Sequence, residues 1–166
     1  MRFGCPTPEF EVRSDKHGSG NFGAGRGMHA DRSQKFHDGL DLIVVPGDTI
    51  RSPIDGMVEK VDYPYRTDLK WTGIQIANGR VRVEIWYMEP NVLLIDTYVH
   101  VGDKIGMAQD ISKKYNTEKR IKKYGGKMLP HVHMRVKNLP LAYLINGKWA
   151  QYEITLDPRL FLGGIQ

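Results

Sequence analysis

Short stretches of alternating polar and apolar residues run through much of the chain, and this alternation is typical of β-strands with one buried face. In the segment 81–87, valine, isoleucine and tyrosine occupy the odd positions, whereas arginine, glutamate and tryptophan occupy the even positions. The apolar segment 40–45 predicts another strand, which Pro46-Gly47 would end. We therefore expect a β-rich fold in which residues of like polarity share a face.

Dipeptides that favour tight turns connect several of these segments. An Asn-Gly pair tolerates the positive φ angles of a type I′ turn, and Asp-Gly acts in the same way. Three such pairs predict hairpins: Asp55-Gly56 between Ile50-Arg51 and 57–61, Asn78-Gly79 between 73–77 and 80–88, and Asn146-Gly147 between 143–145 and 148–152. Hairpins join neighbouring antiparallel strands, so the pattern predicts a mainly antiparallel sheet.

One segment departs from this pattern. Between residues 109 and 124, Ile111, Tyr115 and Ile121 form a thin apolar stripe at helical spacing. The glycine-rich stretch 17–28 predicts a long loop. A chain of 166 residues suits one domain with a sizeable core. We predict an all-β fold, an antiparallel sheet or sandwich with long loops and one short helix near 109–124, in a single domain 1–166.

The composition narrows the class of protein. Hydrophobic residues make up 40% of the chain and charged residues 26%, which is ordinary for a globular protein. No apolar run approaches the roughly 20 residues that span a bilayer, and the segment 1–16 has no apolar stretch of the kind found in secretory signals. The single cysteine, Cys5, excludes a disulfide within the chain and a cysteine-based zinc knuckle. We therefore expect no transmembrane segment and see no signal peptide.

The formal net charge of +5 is concentrated in one segment. Residues 110–127 contain seven Lys or Arg and two acidic residues, a net charge equal to that of the whole chain. Such a segment attracts anionic polymers or acidic lipids, although a solvated helix face is the more common role of a charged run. No nucleic-acid-binding motif accompanies it, so we expect no nucleic acid partner. The alternative to a solvated helix face is that the segment from Lys113 to Lys127 binds an anionic glycopolymer.

Two histidine motifs carry the strongest chemical signal in the sequence. The first is His37-Asp38-Gly39-Leu40-Asp41, and the second is His131-Val132-His133. Because side chains alternate along a strand, residues two or four positions apart share a face. If the two segments are neighbouring strands, two histidines and one aspartate face a common point, and a further histidine lies nearby.

This set of side chains suits a catalytic zinc site. Such a site takes three protein ligands from histidine and carboxylate groups and leaves a fourth position for water. We predict His37, Asp41 and His133 as the ligands of Zn2+ and His131 as a base that removes a proton from the water. On spacing alone, these residues also fit hydrogen-bonded polar positions of a β protein.

Both motifs, in this order, resemble those of the lysostaphin/LytM-type zinc endopeptidases. That family shows His-x-Gly-x-Asp on one strand and His-x-His on a later one. Four further segments are similar to family motifs: the glycine-arginine loop at 22–26, a strand-turn-strand at 45–58, a late glycine turn at 101–106 and an Asp-Pro pair at 156–158. The resemblance covers about residues 20–162, which leaves 1–19 as an N-terminal extension.

The resemblance has consequences for fold, substrate and site. It implies an antiparallel β-sheet with a groove and, as substrate, the peptides of bacterial peptidoglycan. By position, it implies that His37, Asp41 and His133 hold zinc and that His131 is catalytic. A peptidoglycan hydrolase would act in the cell wall or periplasm. Since no signal peptide is visible, we expect release by lysis or carriage on a phage tail, virion or other particle.

The sequence departs from the family at one position. Active members usually carry a second catalytic histidine in a Tyr-x-His-Leu motif, whereas this chain has Tyr87-Met88-Glu89-Pro90. An ionised glutamate repels a developing oxyanion, but a glutamate with a raised pKa can donate a hydrogen bond or act as a base. Glu89 is therefore a second catalytic candidate, and His100 on a neighbouring loop is an alternative to it.

The same loss of a histidine resembles the leukocyte cell-derived chemotaxins, a branch of this fold that keeps the zinc and is regarded as non-proteolytic. The segment 12–20 is also similar to their N-terminal segment, without its cysteines. Two functions are therefore open. One is a zinc metalloendopeptidase that hydrolyses peptidoglycan, and the other is a non-catalytic, zinc-stabilised module that binds the cell wall or a protein partner. We favour the first, because the ligand set suits an open catalytic zinc.

Overall fold

The computed structural model describes residues 2–139, 143–145, 148–150 and 153–162. Its strands are β1 (Ser14–Asp15), β2 (Gly18–Ser19), β3 (Gly25–Met28), β4 (Gln34–Phe36), β5 (Leu40–Ile43), β6 (Thr49–Arg51), β7 (Gly56–Asp62), β8 (Gly73–Asn78), β9 (Val81–Trp86), β10 (Met88–Pro90), β11 (Tyr98–Val99), β12 (Lys104–Ala108), β13 (His131–Asn138), β14 (Tyr143–Ile145), β15 (Lys148–Ala150) and β16 (Ile154–Leu156). Its helices are α1 (Ser112–Tyr115), α2 (Glu118–Tyr124) and α3 (Arg159–Leu162), with a 3-10 turn at Val92–Leu94. The predicted all-β, mainly antiparallel fold is confirmed.

Seven strands form the main antiparallel sheet, in the order β11-β7-β8-β9-β13-β16, with β5 also paired to β13. Strand β13 pairs with β9 along one side, through residues 133–138. On its other side, residues 131–134 pair with β5 and residues 136–138 pair with β16. The first half of β13 is therefore held between β9 and β5, and this is where the two histidine motifs meet.

A smaller three-stranded sheet, in the order β10-β12-β6, faces the same core. One cluster of buried side chains draws from both sheets: Ile74, Ile76, Val83 and Ile85 from the main sheet, and Ile50, Met88 and Ile105 from the smaller one. Leu40 and Leu42 of β5 and Val132 and Met134 of β13 join this cluster. The alternate residues of β5 and β13 are thus anchored in the core, which fixes the opposite faces of these strands for the site.

Two of the three predicted hairpins are present. Strands β8 and β9 pair across a loop of Gly79 and Arg80. Gly79 has φ +58° and Arg80 a negative φ. A positive φ at only the first of the two central residues is typical of a type II′ turn, whereas the predicted type I′ turn needs a positive φ at both. Strands β14 and β15 also pair as predicted, and the Asn146-Gly147 turn between them lies outside the described residues.

The predicted hairpin around Asp55-Gly56 is wrong, because β6 and β7 belong to different sheets. The Asp55 carboxylate accepts a hydrogen bond from the backbone N–H of Val101 at 2.8 Å. A side chain at Gly56 would place its β-carbon 2.5 Å from the carbonyl oxygen of Ala77 in β8. Glycine is needed here for the close approach of β7 and β8, which the sequence alone does not distinguish from a tight turn.

The single helix predicted near 109–124 is two short helices, α1 and α2. The chain leaves the helical conformation at Asn116, whose side chain bonds the backbone N–H and carbonyl of Met128. Thr117 then starts α2, because its hydroxyl accepts the free N–H of Arg120. Gly125, at φ +72°, ends α2. Among the described residues, no helix is long and apolar enough to cross a membrane.

The predicted N-terminal extension packs against the sheet over much of its length. Val12 forms a bridge with Leu42, and the backbone N–H of Ile43 donates to the carbonyl of Glu11 at 2.8 Å. The N–H of Arg13 donates to the Asp41 carbonyl at 2.9 Å. This segment therefore borders β5 and brings Arg13 next to the predicted metal ligand.

Candidate metal centre and cleft

Antiparallel pairing of β5 and β13 brings the two histidine motifs together. Asp41 lies directly opposite His133, and His131 lies opposite Ile43. His37 comes from the segment that leads into β5. The side chains of His37, Asp41, His131 and His133 are all buried. Burial of four ionisable groups in one place is costly unless they are paired or bind an ion.

Three atoms of this group form a small triangle. Oδ1 of Asp41 lies 2.8 Å from Nδ1 of His133 and 3.0 Å from Nε2 of His37. The two ring nitrogens are themselves 3.0 Å apart. These side chains are thus close enough to share a single metal ion.

The hydrogen bond on the far side of the His37 ring leaves a lone pair of His37 facing a lone pair of Asp41. Nδ1 of His37 lies 2.9 Å from the carbonyl oxygen of Asn21, so it carries the proton that this oxygen accepts. In a neutral His37 ring, Nε2 is then an acceptor that faces the acceptor Oδ1 of Asp41. Two acceptors at 3.0 Å repel each other unless a proton or a cation lies between them. A divalent metal ion removes this repulsion and uses both lone pairs, so the donor set fits a metal.

The second oxygen of Asp41 is held by two arginines. Oδ2 lies 3.0 Å from Nη2 of Arg13 and 3.3 Å from Nη2 of Arg26. These guanidinium groups occupy Oδ2 and leave Oδ1 as the oxygen that faces the histidines. Arg26 lies in the glycine-arginine loop, but nothing in the sequence around Arg13 marks it as part of the site.

The charge state of Asp41 follows from these contacts. Burial by itself would raise the pKa of Asp41, but the contact with His133 holds it well below its usual value. Burial lowers the pKa of Arg13, and its contacts with Asp41 and Asp15 together more than reverse this effect. Asp41 is therefore an ionised carboxylate, the form that binds a metal ion.

His133 is fixed in place by a stacked tryptophan and a network of charges. The Trp86 ring stacks on the His133 ring with centroids 5.1 Å apart. The guanidinium carbon of Arg135 lies 4.0 Å from the centroid of the Trp86 ring and forms a cation–π contact with it. Arg135 binds Asp38 at 2.6 Å, and Asp38 lies 3.6 Å from Nε2 of His133. Outer groups of this kind orient a metal-binding histidine and tune its affinity.

Gly39 permits the close approach of the two motifs. A β-carbon at this position would lie 2.5 Å from the carbonyl oxygen of Met134 and 2.6 Å from two atoms of the His133 ring. No side chain is tolerated there without movement of His133. The glycine of the first motif therefore has a direct role in forming the site.

We expect Gly39→Ala to lower the affinity of this site for a divalent metal ion, tested with Zn2+, by about 10–100-fold, because it displaces His133 in the way that loss of an outer-shell group does. A competition titration against a chromophoric chelator measures this. Gly25→Ala is the matched control, since a β-carbon there would be 3.4 Å from Gln34, an ordinary contact. Unchanged zinc affinity in Gly39→Ala would contradict this role.

His131 stands beside the triangle and outside it. Its Nδ1 donates to the carbonyl of Leu129 at 2.8 Å, so the lone pair of a neutral ring is on Nε2. Nε2 lies 4.0 Å from Oδ2 of Asp41. Burial lowers the pKa of His131 to about 4, so the ring is neutral near pH 7. A neutral imidazole with Nε2 turned towards the metal ligands can accept a proton.

The face alternation predicted for 81–87 fails at its last residue. Tyr87 has φ +66°, an uncommon conformation for a residue with a side chain. The kink ends β9 and turns the Tyr87 ring into the cleft, edge-on to His131 with centroids 5.5 Å apart. The Tyr87 hydroxyl lies 3.1 Å from that of Tyr65, which lies 2.5 Å from that of Tyr115. Burial raises the pKa of Tyr87 above its usual value, so the hydroxyl keeps its proton.

The structure does not bring Glu89 or His100 to the site. Glu89 is exposed in β10, opposite Met107 of the smaller sheet. His100 is 72% exposed and lies 3.7 Å from Asp103. Neither is among the described residues that line the cleft. The kink at Tyr87 explains the position of Glu89, because it moves the next residues into another sheet.

The buried cluster opens into a cleft of about 600 Å3. The described residues that line it are Arg13, His17, Gly25, Arg26, Gly27, Phe36, His37, Asp38, Asp41, Trp86, Tyr87, Tyr115, Arg120, Tyr124, Met128, His131 and His133. A cleft of this size admits a short segment of an extended ligand. The walls combine aromatic rings with cationic side chains.

Comparison of sequences gives chemotaxins among the relatives of this chain. Leukocyte cell-derived chemotaxin-2 of Bos taurus is 27% identical over 107 residues, a match that covers 63% of this chain and 66% of the chemotaxin. The chemotaxin of Mus musculus is 26% identical over a match of the same extent. This chain thus spans slightly less than two thirds of these relatives. No family model matches the sequence.

Comparison of structures gives peptidases among the similar folds. A zinc-containing peptidase from Vibrio cholerae has a TM-score of 0.56 at 17% identity, over 91% of this chain and 39% of that one. The catalytic domain of the antimicrobial peptidase lysostaphin from Staphylococcus simulans has a TM-score of 0.52 at 17% identity, over 86% and 89% of the two chains. These likenesses show a shared fold, so the chain has the β-fold of lysostaphin and LytM-type peptidases.

Proposed function

We propose that this protein is a zinc-dependent hydrolase of peptide bonds and that its substrates are the peptides of bacterial peptidoglycan. The observation that carries the proposal is the position of His131, a neutral base beside a complete ligand triangle at the base of an open cleft. A structural zinc site needs neither a spare base nor a cleft. A wall substrate would place its action in the cell wall or periplasm.

Zinc suits the three donors of the triangle. Histidine nitrogens and a carboxylate oxygen, three protein ligands in all, are the donor set of catalytic zinc sites. Zinc bonds of about 2.0–2.2 Å separate tetrahedral ligand atoms by roughly 3.3 Å, so the observed separations of 2.8–3.0 Å need only a small adjustment. His37, Asp41 and His133 would hold the ion. When bound, zinc lowers the pKa of a water molecule to about 7 and polarises a peptide carbonyl.

Each remaining side chain has a separate role. Nε2 of His131 takes the proton from the attacking water and later passes it to the leaving amine. The hydrogen bond from Nδ1 to Leu129 keeps that nitrogen protonated and keeps the lone pair on Nε2. Arg13 and Arg26 bind Oδ2 of Asp41 and keep Oδ1 turned towards the histidines.

Tyr87 takes the role of hydrogen-bond donor that a second histidine has in active peptidases of this fold. Its hydroxyl stays protonated and its ring lies edge-on to His131. If Tyr115 donates to Tyr65 and Tyr65 donates to Tyr87, the proton of Tyr87 is free to bind the oxyanion of the substrate. The kinked backbone at Tyr87 thus supplies what the sequence at Glu89 lacks.

The test is digestion of purified peptidoglycan by the zinc-loaded protein. The free amino groups that are released measure the hydrolysis of peptide bonds. We expect turnover that a chelator abolishes and Zn2+ restores. Tyr87→Phe should lower kcat by about 10²–10³, the cost of one oxyanion donor, without loss of zinc. Glu89→Gln serves as the comparison and should stay within about twofold of the wild type, because Glu89 lies outside the cleft.

A second candidate function is a zinc-stabilised binding module without turnover. The sequence similarity to the chemotaxins and the position of Glu89 outside the cleft favour it. In that case zinc would raise the melting temperature and strengthen peptidoglycan binding, and no amino groups would be released at any zinc loading.

A further inference from the structure

The helical segment of α1 and α2 forms one wall of the cleft. It contributes Tyr115, Arg120 and Tyr124 to the lining, and Met128, four residues after the end of α2, also lines the cleft. Asn116 ties this wall to the backbone of Met128, three residues before β13 begins. The wall is therefore attached to the strand that carries His131 and His133, and its side chains line the same cleft.

Arg120 is held between two aromatic rings of this wall. Its guanidinium carbon lies 4.8 Å from the Tyr115 ring centroid and 5.4 Å from that of Tyr124. Stacking on aromatic rings restricts a long side chain that would otherwise be mobile. The Tyr115 hydroxyl also bonds Tyr65, the partner of Tyr87, so Arg120 is joined through one tyrosine chain to the proposed oxyanion donor.

The charge of Arg120 is not balanced by the described residues around it. The ion pairs made by this wall are those of Lys113 with Asp110 and of Lys114 with Asp68. Arg120 has no acidic side chain within ion-pair distance in the described part of the chain, and its Nε has no hydrogen-bond partner there. The other arginines of the cleft, Arg13 and Arg26, are already bound to Asp41.

We infer that Arg120 anchors a subsite for a carboxylate group of the peptide substrate. A stacked guanidinium presents a planar fork that matches a carboxylate with two parallel hydrogen bonds. Exposed lysines on the outer face of α2 would instead attract any polyanion without fixed geometry. This inference rests on the proposed peptide substrate and makes it more specific: the enzyme selects peptides that carry a free carboxylate a short distance from the cleaved bond.

The test compares two synthetic pentapeptides, Gly-Gly-Glu-Gly-Gly and Gly-Gly-Gln-Gly-Gly, both blocked at their ends. Each is titrated calorimetrically into zinc-loaded protein, and mass spectrometry afterwards shows whether the peptide has been cleaved. We expect the wild type to bind the glutamate peptide about tenfold or more tightly than the glutamine peptide. Arg120→Gln should remove this preference and leave binding of the glutamine peptide unchanged.

Two further variants separate a built subsite from a general charge effect. Lys122→Gln removes the same charge from the exposed face of α2 and should change the preference by less than about twofold at physiological salt. Arg120→Lys keeps the charge without the planar fork and should retain only part of the preference, while its melting temperature reports whether the helix is intact.

The outcomes distinguish this inference from the proposed hydrolysis. Arg120-dependent preference without cleavage would support the subsite and count against a peptidase. Cleavage of both peptides with equal affinity would overturn the subsite and leave hydrolysis intact. An equal loss in Lys122→Gln and Arg120→Gln would also overturn it, in favour of a diffuse basic surface for an anionic glycopolymer.

Discussion

Alanine in place of His133 is expected to abolish zinc binding and to remove the stabilisation that zinc gives to the protein. His133 supplies one of the three atoms of the ligand triangle, and two ligands do not hold zinc with comparable affinity. The loss also affects the fold, because the site joins β5, β13 and the loop before β5. We therefore expect the largest change in stability among the substitutions considered for this protein.

The size of the effect follows from linkage between binding and folding. Zinc at about a thousandfold excess over its Kd stabilises a folded protein by roughly 4.1 kcal/mol. For a domain of this length, that corresponds to a rise in Tm of roughly 8–16 °C. Thermal unfolding of the wild type with and without chelator measures this difference, and we expect no difference for His133→Ala.

His100→Ala is the matched control for this substitution. It makes the same chemical change at an exposed histidine outside the cleft. We expect it to bind one zinc ion per chain with the affinity of the wild type. If His133→Ala keeps that stoichiometry and the response to chelator, then the triangle is not the metal site and the proposed function fails with it.

The meeting of Asp41 and His133 was predictable because it follows from strand alternation and antiparallel pairing, whereas His37 lies before β5. Leu42 and Met134 point to the core, so Asp41 and His133 on alternate positions must face away from it. Antiparallel pairing then places these two residues opposite each other. The glycine at position 39 signals the close packing of the motifs, although its contact with the His133 ring becomes visible only in the structure.

The rest of the site depends on features that break the local pattern. Tyr87 was predicted on the core face of its strand, and its left-handed backbone turns it into the cleft instead. Glu89 therefore does not continue strand β9 towards the site. The kink at Tyr87 places it in the smaller sheet, opposite Met107. Arg13 was missed because its importance comes from a long-range backbone pairing with β5, to which alternation gives no guide.

Replacement of His131 by glutamine is expected to lower kcat by about 10²–10⁴ while one zinc ion stays bound. Glutamine can keep a hydrogen-bond donor for the Leu129 carbonyl, but it has no basic nitrogen. The substitution thus removes proton transfer and keeps the polar character of the position. Hydrolysis of peptidoglycan under saturating substrate gives kcat, and a chelator competition gives the zinc affinity of the same sample. His100→Gln is again the matched control.

The two readouts must be taken together, because His131 lies close enough to the triangle to serve in either of two ways. Its Nε2 is 4.0 Å from Oδ2 of Asp41, and His131 is not one of the three residues whose ligand atoms form the triangle. If turnover falls and zinc stays, His131 is the base and the fourth zinc position is open for water. If zinc affinity falls together with turnover, His131 is a fourth protein ligand, the site is closed, and zinc stabilises a binding module. If neither changes, His131 is not the base, and hydrolysis by the proposed mechanism is contradicted.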